Sequence, residues 1–408
     1  MTRLGQRAVK APEAIVLRRC LLLRCARCGI EGPADIAVVD GLMTAPSAVK
    51  GRDVVEVDCK EELVVAPCMY VANMVLAPLG TDYSSVMHGE LDDALLEAAR
   101  LSGERLIQTA ERLATELPSL GMCGAAIATV DPLPAAKTLL EHGLRVQTNI
   151  AYIPNWSHVE RLASELDKQC NQLGNYGDLM SIGIEVFASR LVDDKELQEL
   201  VRLARSKSIP LFIHASTSKR DVYESKKKWG LFPVERLEKL GVLGKDTVIV
   251  GGGWVSSWEL GYIASRGSAI VHNPVHDMLH GAGGHFPLRE ALDAGIRVGL
   301  GLGLVDSFLD LRLAATVELL LQRYVYWDSR VGAADVFSAA SEGSANILSF
   351  TATGKIEHGS PGDLVVYRVR GLSQSLLTRN PALALLAGGK PVYTIIAGRI
   401  VHAEEDSF

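Results

Sequence analysis

Aromatic residues are scarce, at 6% of the chain, and no basic run is longer than Lys226-Lys227-Lys228. Lysine and arginine number 42 against 48 aspartates and glutamates, for a formal net charge of −6. Following a phosphate backbone takes clustered Lys and Arg, so no nucleic-acid partner is expected. Seven cysteines, an odd count over 408 residues, argue against a secreted disulfide framework. Cys25-Ala-Arg-Cys28 has the gap of a thiolate metal clip, but no second close pair follows to complete a four-ligand zinc site. The cysteines are therefore expected to act as small apolar fillers. Long apolar runs are also missing. The longest stretch, 63–79, is interrupted by Pro67, Asn73 and Pro78, and a membrane span needs about 20 apolar residues in a row. The run Leu21-Leu22-Leu23, between Arg18-Arg19 and Arg24, is too short and charge-broken for a signal peptide. The cytosol is the expected location.

Apolar residues make up 48% of the chain, enough for a large core. The length allows one large barrel or two to three ordinary domains. The first sixty residues read as short strands and turns, at 15–23, 35–39 and 54–57. From residue 63 the rhythm changes, and eight strand-like runs alternate with helix-length segments. The runs are 63–72, 124–130, 145–151, 180–187, 210–215, 247–250, 269–272 and 297–302. They are short, apolar and rich in Val and Ile, as strands buried on both faces are. Helical spacing appears over 91–117, 159–173, 194–206, 233–240, 257–266, 288–294 and 308–324. Asp194 and Ser257 are placed to cap two of these. Eight such alternations predict a closed parallel (β/α)8 barrel over 63–350. The segments 363–367 and 392–396 read as strands, with a turn at 397–399 into 400–401. They are expected to pair with the N-terminal strands, so that 1–62 and 351–408 build one β-sandwich domain from both chain ends.

Several segments, in order, resemble the amidohydrolase superfamily, and in particular its chlorohydrolase and nucleoside or aminopyrimidine deaminase branch. They are Val64-Val-Ala-Pro-Cys-Met-Tyr-Val-Ala-Asn-Met-Val-Leu76 at the entry to the barrel and Leu211-Phe-Ile-His-Ala215 at its fifth strand. Ala269-Ile-Val-His-Asn-Pro-Val275 falls at the seventh, Ala294-Gly-Ile-Arg-Val-Gly-Leu-Gly301 at the eighth, and Pro361-Gly-Asp-Leu364 at the return to the β-domain. The resemblance implies hydrolysis of C–N or C–Cl bonds in small ring compounds, and a homodimer. It also implies a divalent metal held by a His-x-His pair, a His on each of the fifth and sixth strands, and an Asp on the eighth. Such a metal lowers the pKa of bound water from 15.7 to about 7, and a Glu three residues after the fifth-strand His handles protons.

On this chain the His-x-His pair falls on Asn73 and Val75. The fifth-strand His is His214, the Glu falls on Thr217, the sixth-strand His on Gly251, and the Asp near Gly303. A small shift would offer Asp306 instead. One ligand of five remains, and a catalytic metal typically needs three. The expectation is a degenerate homologue with no cofactor, binding a small molecule at the barrel mouth through Asn73, Val75, His214, Thr217, Gly251, Trp254, His272, Gly303 and Asp306.

Two alternatives stay open. The segment His272-Asn-Pro-Val-His276-Asp277-Met-Leu-His280-Gly-Ala-Gly-Gly-His285 is rich in histidine, and barrel loops form the catalytic face. His276, His280 and His285 with His214 would then gather a relocated zinc or iron for an active hydrolase. Their Gly-rich setting also suits a flexible loop with no fixed turn. In a metal-free enzyme, His214, His272 or His280 would act as acid or base. Gly251-Gly-Gly253 would either enlarge the pocket or let loops approach. Trp254 and Trp258 would line that pocket or pack. Gly299, Gly301 and Gly303 fit a crowded eighth strand better than a phosphate cradle. Ser84, Ser85 and His88 lack a convincing nucleophile setting.

Overall fold

The structure is a computed structural model that describes residues 13–77, 91–305, 308–350 and 353–404. Its β-domain is one eight-stranded sheet built from both chain ends. The strand order is Arg399–Ala403, Gly389–Ile396, Leu364–Val369, Leu63–Pro67, Ala14–Leu23, Ile30–Val39 and Leu42–Thr44, with Val54–Asp58 also paired to Ala14–Leu23. Leu63–Pro67 is the seam, running antiparallel to Leu364–Val369 and parallel to Ala14–Leu23. Alternate residues of these strands face inward (Ile15, Leu17, Ile36, Val38, Val65, Leu364, Val366 and Ile395) and form a core separate from that of the barrel.

The expected first run, 63–72, is two strands. Leu63–Pro67 ends in the terminal sheet and Met69–Leu76 opens the barrel. Pro67 has no N–H to continue a ladder, which marks the crossing. The barrel continues through Met122–Thr129, Arg145–Tyr152, Met180–Val186, Leu211–Ala215, Thr247–Gly251 and Ala269–His272, all parallel. Its eighth strand is split. Arg297–Leu300 pairs with the seventh strand and Gly303–Val305 pairs with the first, closing the ring. Asp363 bolts the two domains together. Its buried carboxylate accepts from Arg145 Nε at 2.5 Å and Nη2 at 3.0 Å, from Tyr70 Oη at 2.7 Å and from the Ala397 N–H at 2.9 Å.

Several expectations need correction. The helix expected over 91–117 is two, Leu91–Ala98 and Gly103–Ser119, because Ser102 is extended and Gly103 takes φ +64°. The caps sit one residue earlier than expected. Asp193 accepts from the Glu196 N–H at 2.8 Å, and Ser256 is tied to Glu259. The cysteines are not fillers. Cys20–Cys59, Cys25–Cys28 and Cys68–Cys123 form disulfides, with Cα atoms 4.9, 5.1 and 5.7 Å apart, and Cys170 is free. Strand pairing brings partners together that sequence spacing does not. Arg18 lies opposite Asp58, which sets Cys20 beside Cys59. Among the described residues no helix is long and apolar enough to cross a membrane.

Candidate functional site at the barrel mouth

Asn73 lies on the first strand and points to the barrel axis, where Glu185 of the fourth strand is fully buried. Asn73 Nδ2 donates to Glu185 Oε1 at 2.8 Å, Asn149 Nδ2 to Oε2 at 2.9 Å, and His214 Nε2 to Oε1 at 2.7 Å. Both oxygens of the carboxylate accept, and this fixes the direction of the amides around it. Asn73 Oδ1 must accept, and does so from Asn273 Nδ2 at 3.1 Å. Asn149 Oδ1 likewise accepts from Gln147 Nε2 at 2.9 Å. The wire ends on two buried acceptors with no partner, Asn273 Oδ1 and Gln147 Oε1. His214 also stacks on Phe187, with ring centroids 4.5 Å apart.

A second buried cluster lies beside it. His272 is clamped between Glu318 (Nδ1 to Oε2, 2.7 Å) and Asp277 (Nε2 to Oδ2, 3.1 Å). Burial opposes its charge, but the two carboxylates outweigh that and push its pKa up to about 10, so it is an imidazolium. The following segment is not the flexible loop its glycines suggested. Pro274–Leu279 is a short helix with Pro at its start, and it sets the His276 and His280 rings edge to face, 4.7 Å between centroids. Burial pushes the His276 pKa down to about 4. His276 Nδ1 accepts from the Leu304 N–H at 3.2 Å, leaving the ring proton on Nε2. His285 does not join them. It packs on Tyr326, 3.6 Å between centroids, in a separate hollow with Arg289 and Arg330.

The recess at the mouth has a cavity of about 20 Å³, room for roughly a water molecule. Of the expected pocket residues, His214, Thr217, Gly251 and Gly303 line it, joined by Asn273, His276 and Asp277. Asn73 and His272 lie behind the wall, and Val75 packs with Phe187 and Leu304 in an apolar cluster. Trp254 is turned away, its Nε1–H donating to the Ala282 carbonyl at 2.9 Å, and Trp258 packs on Phe232 and Tyr262. Asp306, Ser84, Ser85 and His88 lie outside the described residues. The glycines do not enlarge the pocket. A Cβ on Gly251 (φ +101°) would stand 2.7 Å from Thr217 Cγ2, and one on Gly303 would stand 2.7 Å from His276 Cγ.

These residues do not fit a divalent metal. Among the described residues no three His, Cys, Asp or Glu side chains are arranged to hold one. His214 and Glu185 are hydrogen-bonded to each other, and neighbouring side chains fill the two glycine positions.

A family model described as "Amidohydrolase family" matches residues 86–401. The chain belongs to the amidohydrolase family. This family member is 32% identical over 216 residues to a 5-methylthioadenosine/S-adenosylhomocysteine deaminase of Pyrococcus furiosus, covering 50% of each protein. It is 30% identical over 284 residues to a 5'-deoxyadenosine deaminase of Methanothermobacter thermautotrophicus, covering 65% of this chain and 64% of that one. The match thus spans half to just under two thirds of those relatives' length. Its fold is shared with a zinc-bound adenosine deaminase from Xanthomonas campestris (TM-score 0.81, 20% identity, 95% of this chain and 92% of that one). It is shared too with a zinc-complexed atrazine chlorohydrolase from Arthrobacter aurescens (TM-score 0.78, 17% identity, 95% of each).

Sequence reasoning passed over Glu185, Asn149 and Glu318. The signal was there for two of them: a carboxylate inside Ser181-Ile-Gly-Ile-Glu185-Val, and another on the buried Ala314, Ala315, Leu319 face of helix Leu311–Tyr324. Charged residues are almost never fully buried without a partner, so each implies one elsewhere.

Proposed function

We propose that this chain is a metal-free member of the amidohydrolase family that binds a small ligand at the barrel mouth and has given up the metal-hydroxide reaction. One observation carries the reading. The carboxylate at the barrel axis is satisfied by Asn73, Asn149 and His214, so the place of a cation is taken by amide and imidazole N–H groups. Without a bound metal no hydroxide forms near neutral pH, and Thr217 cannot replace a carboxylate as base. The test is metal analysis of the purified protein, with turnover assays on 5'-deoxyadenosine and 5-methylthioadenosine, the named substrates of its relatives, before and after zinc loading. Less than a tenth of a metal per chain and no deamination in either state are expected. Stoichiometric zinc or iron would overturn the reading.

A second reading rests on the two imidazoles that share the recess, His214 and His276, with His280 against the latter. It is an active hydrolase with a relocated site built without His285. It requires that His214→Ala and His280→Ala each abolish both metal content and turnover.

A further inference from the structure

Glu185, Glu318 and Asp277 are three carboxylates packed around two imidazoles, His214 and His272. Acidic groups outnumber basic ones here by three to two. Among the described residues no lysine or arginine lines the recess, and nearby Arg190 is paired with Glu224. Net charge held out of water is costly unless a counter-charge approaches. A second, independent feature lies in the same wall. Asn273 is 3% exposed, and its Oδ1 has no donor. This is no matter of amide assignment, because Glu185 dictates the direction of Asn73, and Asn73 that of Asn273. A buried acceptor without a partner costs about 1–3 kcal/mol, so it calls for an N–H or O–H from outside the chain.

We infer that the recess binds a small N–H-rich cation, the ammonium head of a primary amine, between Asn273 Oδ1 and the Asp277 carboxylate. A water would answer the orphan acceptor but not the excess of carboxylates, and a metal ion would find too few ligands among the described residues. An ammonium head supplies both a positive charge and several donors. The cavity of about 20 Å³ suits a head of one or two heavy atoms, with any longer tail leaving through the mouth. This inference rests on the metal-free reading above and names the chemistry of its ligand.

The experiment is a thermal-unfolding series on the full chain at constant ionic strength. It compares ammonium, methylammonium, tetramethylammonium and sodium chlorides. Ammonium and methylammonium should raise Tm saturably, while tetramethylammonium (equal charge, no N–H) and sodium leave it unchanged. Asp277→Asn and Asn273→Leu should each raise the methylammonium midpoint concentration tenfold or more. The wild-type series decides the matter alone if a variant does not fold. Equal shifts with tetramethylammonium or sodium, or no saturable shift with methylammonium, would overturn the inference. Zinc at one per chain overturns the metal-free reading whatever the amines do. A metal-free protein that methylammonium does not stabilise overturns only the present inference.

Discussion

Replacing Glu318 by Gln removes one jaw of the His272 clamp and keeps its shape. Gln322 Nε2 donates to Glu318 Oε1 at 2.9 Å, and His272 Nδ1 to Oε2 at 2.7 Å, so the amide oxygen can still accept one of these. The charge is lost. A charge-assisted hydrogen bond is worth about 1.5–3 kcal/mol, and each pKa unit about 1.4 kcal/mol, so the His272 pKa should fall by roughly one to two units. Below pH 6.5 both forms of the protein keep the imidazolium's contribution in full. As pH rises toward 10 the wild type loses it, because the unfolded chain releases the proton near 6.5 and the folded one near 10. Urea unfolding should therefore show the wild type's lead over the variant narrowing by about 1–3 kcal/mol between pH 7 and 10. Histidine ring proton shifts in NMR give the site directly: His272 should stay protonated through pH 9 in the wild type and titrate earlier in Glu318→Gln. A wild-type His272 that titrates near 6.5, or a variant with an unchanged titration, would refute the clamp.

Glu185→Gln sets an amide NH2 against at least one of three inward donors and should lower the unfolding free energy by about 3 kcal/mol in urea titration. The double variant Gly251→His/Gly303→Asp, designed to return two metal ligands, should lose stability and still purify without zinc, because both new Cβ atoms would lie 2.7 Å from existing side chains. Cys20 and Cys59 close a loop of 39 residues, so replacing both by Ala should cost about 4 kcal/mol by loop entropy, and peptide mapping without reductant should find Cys170 as the free thiol. Buried neutral His276 contributes stability that is complete above pH 6.5 and lost as pH falls through 4. His276→Gln should thus flatten the acid limb of the unfolding curve by about 3 kcal/mol.

The barrel was legible because its strands are buried on both faces. Runs such as Thr247-Val-Ile-Val250 have no polar face to confuse with a helix, and the seventh strand, Ala269–His272, is found at the expected bounds. The terminal sheet was legible for a related reason, since its strands are apolar runs separated by turn signals. Partnership between distant residues was not legible. Nothing local in Cys20 names Cys59, and nothing in Glu318 names His272, 46 residues away. A helical turn after Asn273-Pro274 was hidden by the glycines that follow it, although Pro at the first helical position is a start signal. His214 stood out as the retained family residue, but what holds it, Glu185, could be found only by asking where a buried charge goes.

If the mouth is metal-free, as proposed above, the same geometry distinguishes a decayed site from a rebuilt one. Deleting large side chains from a packed wall leaves voids, and each void costs stability in proportion to its volume. At Gly251 and Gly303 the space is filled from neighbouring elements. Thr217 packs against Gly251. His276, from the helix after the seventh strand, packs against Gly303. On the axis, Asn73 orients both Glu185 and Asn273. Two glycine positions filled by Thr217 and His276, and one carboxylate served by three donors, are what the metal-free reading proposed above expects of a rebuilt mouth. On that reading, decay by drift alone would leave gaps and unpaired N–H groups instead.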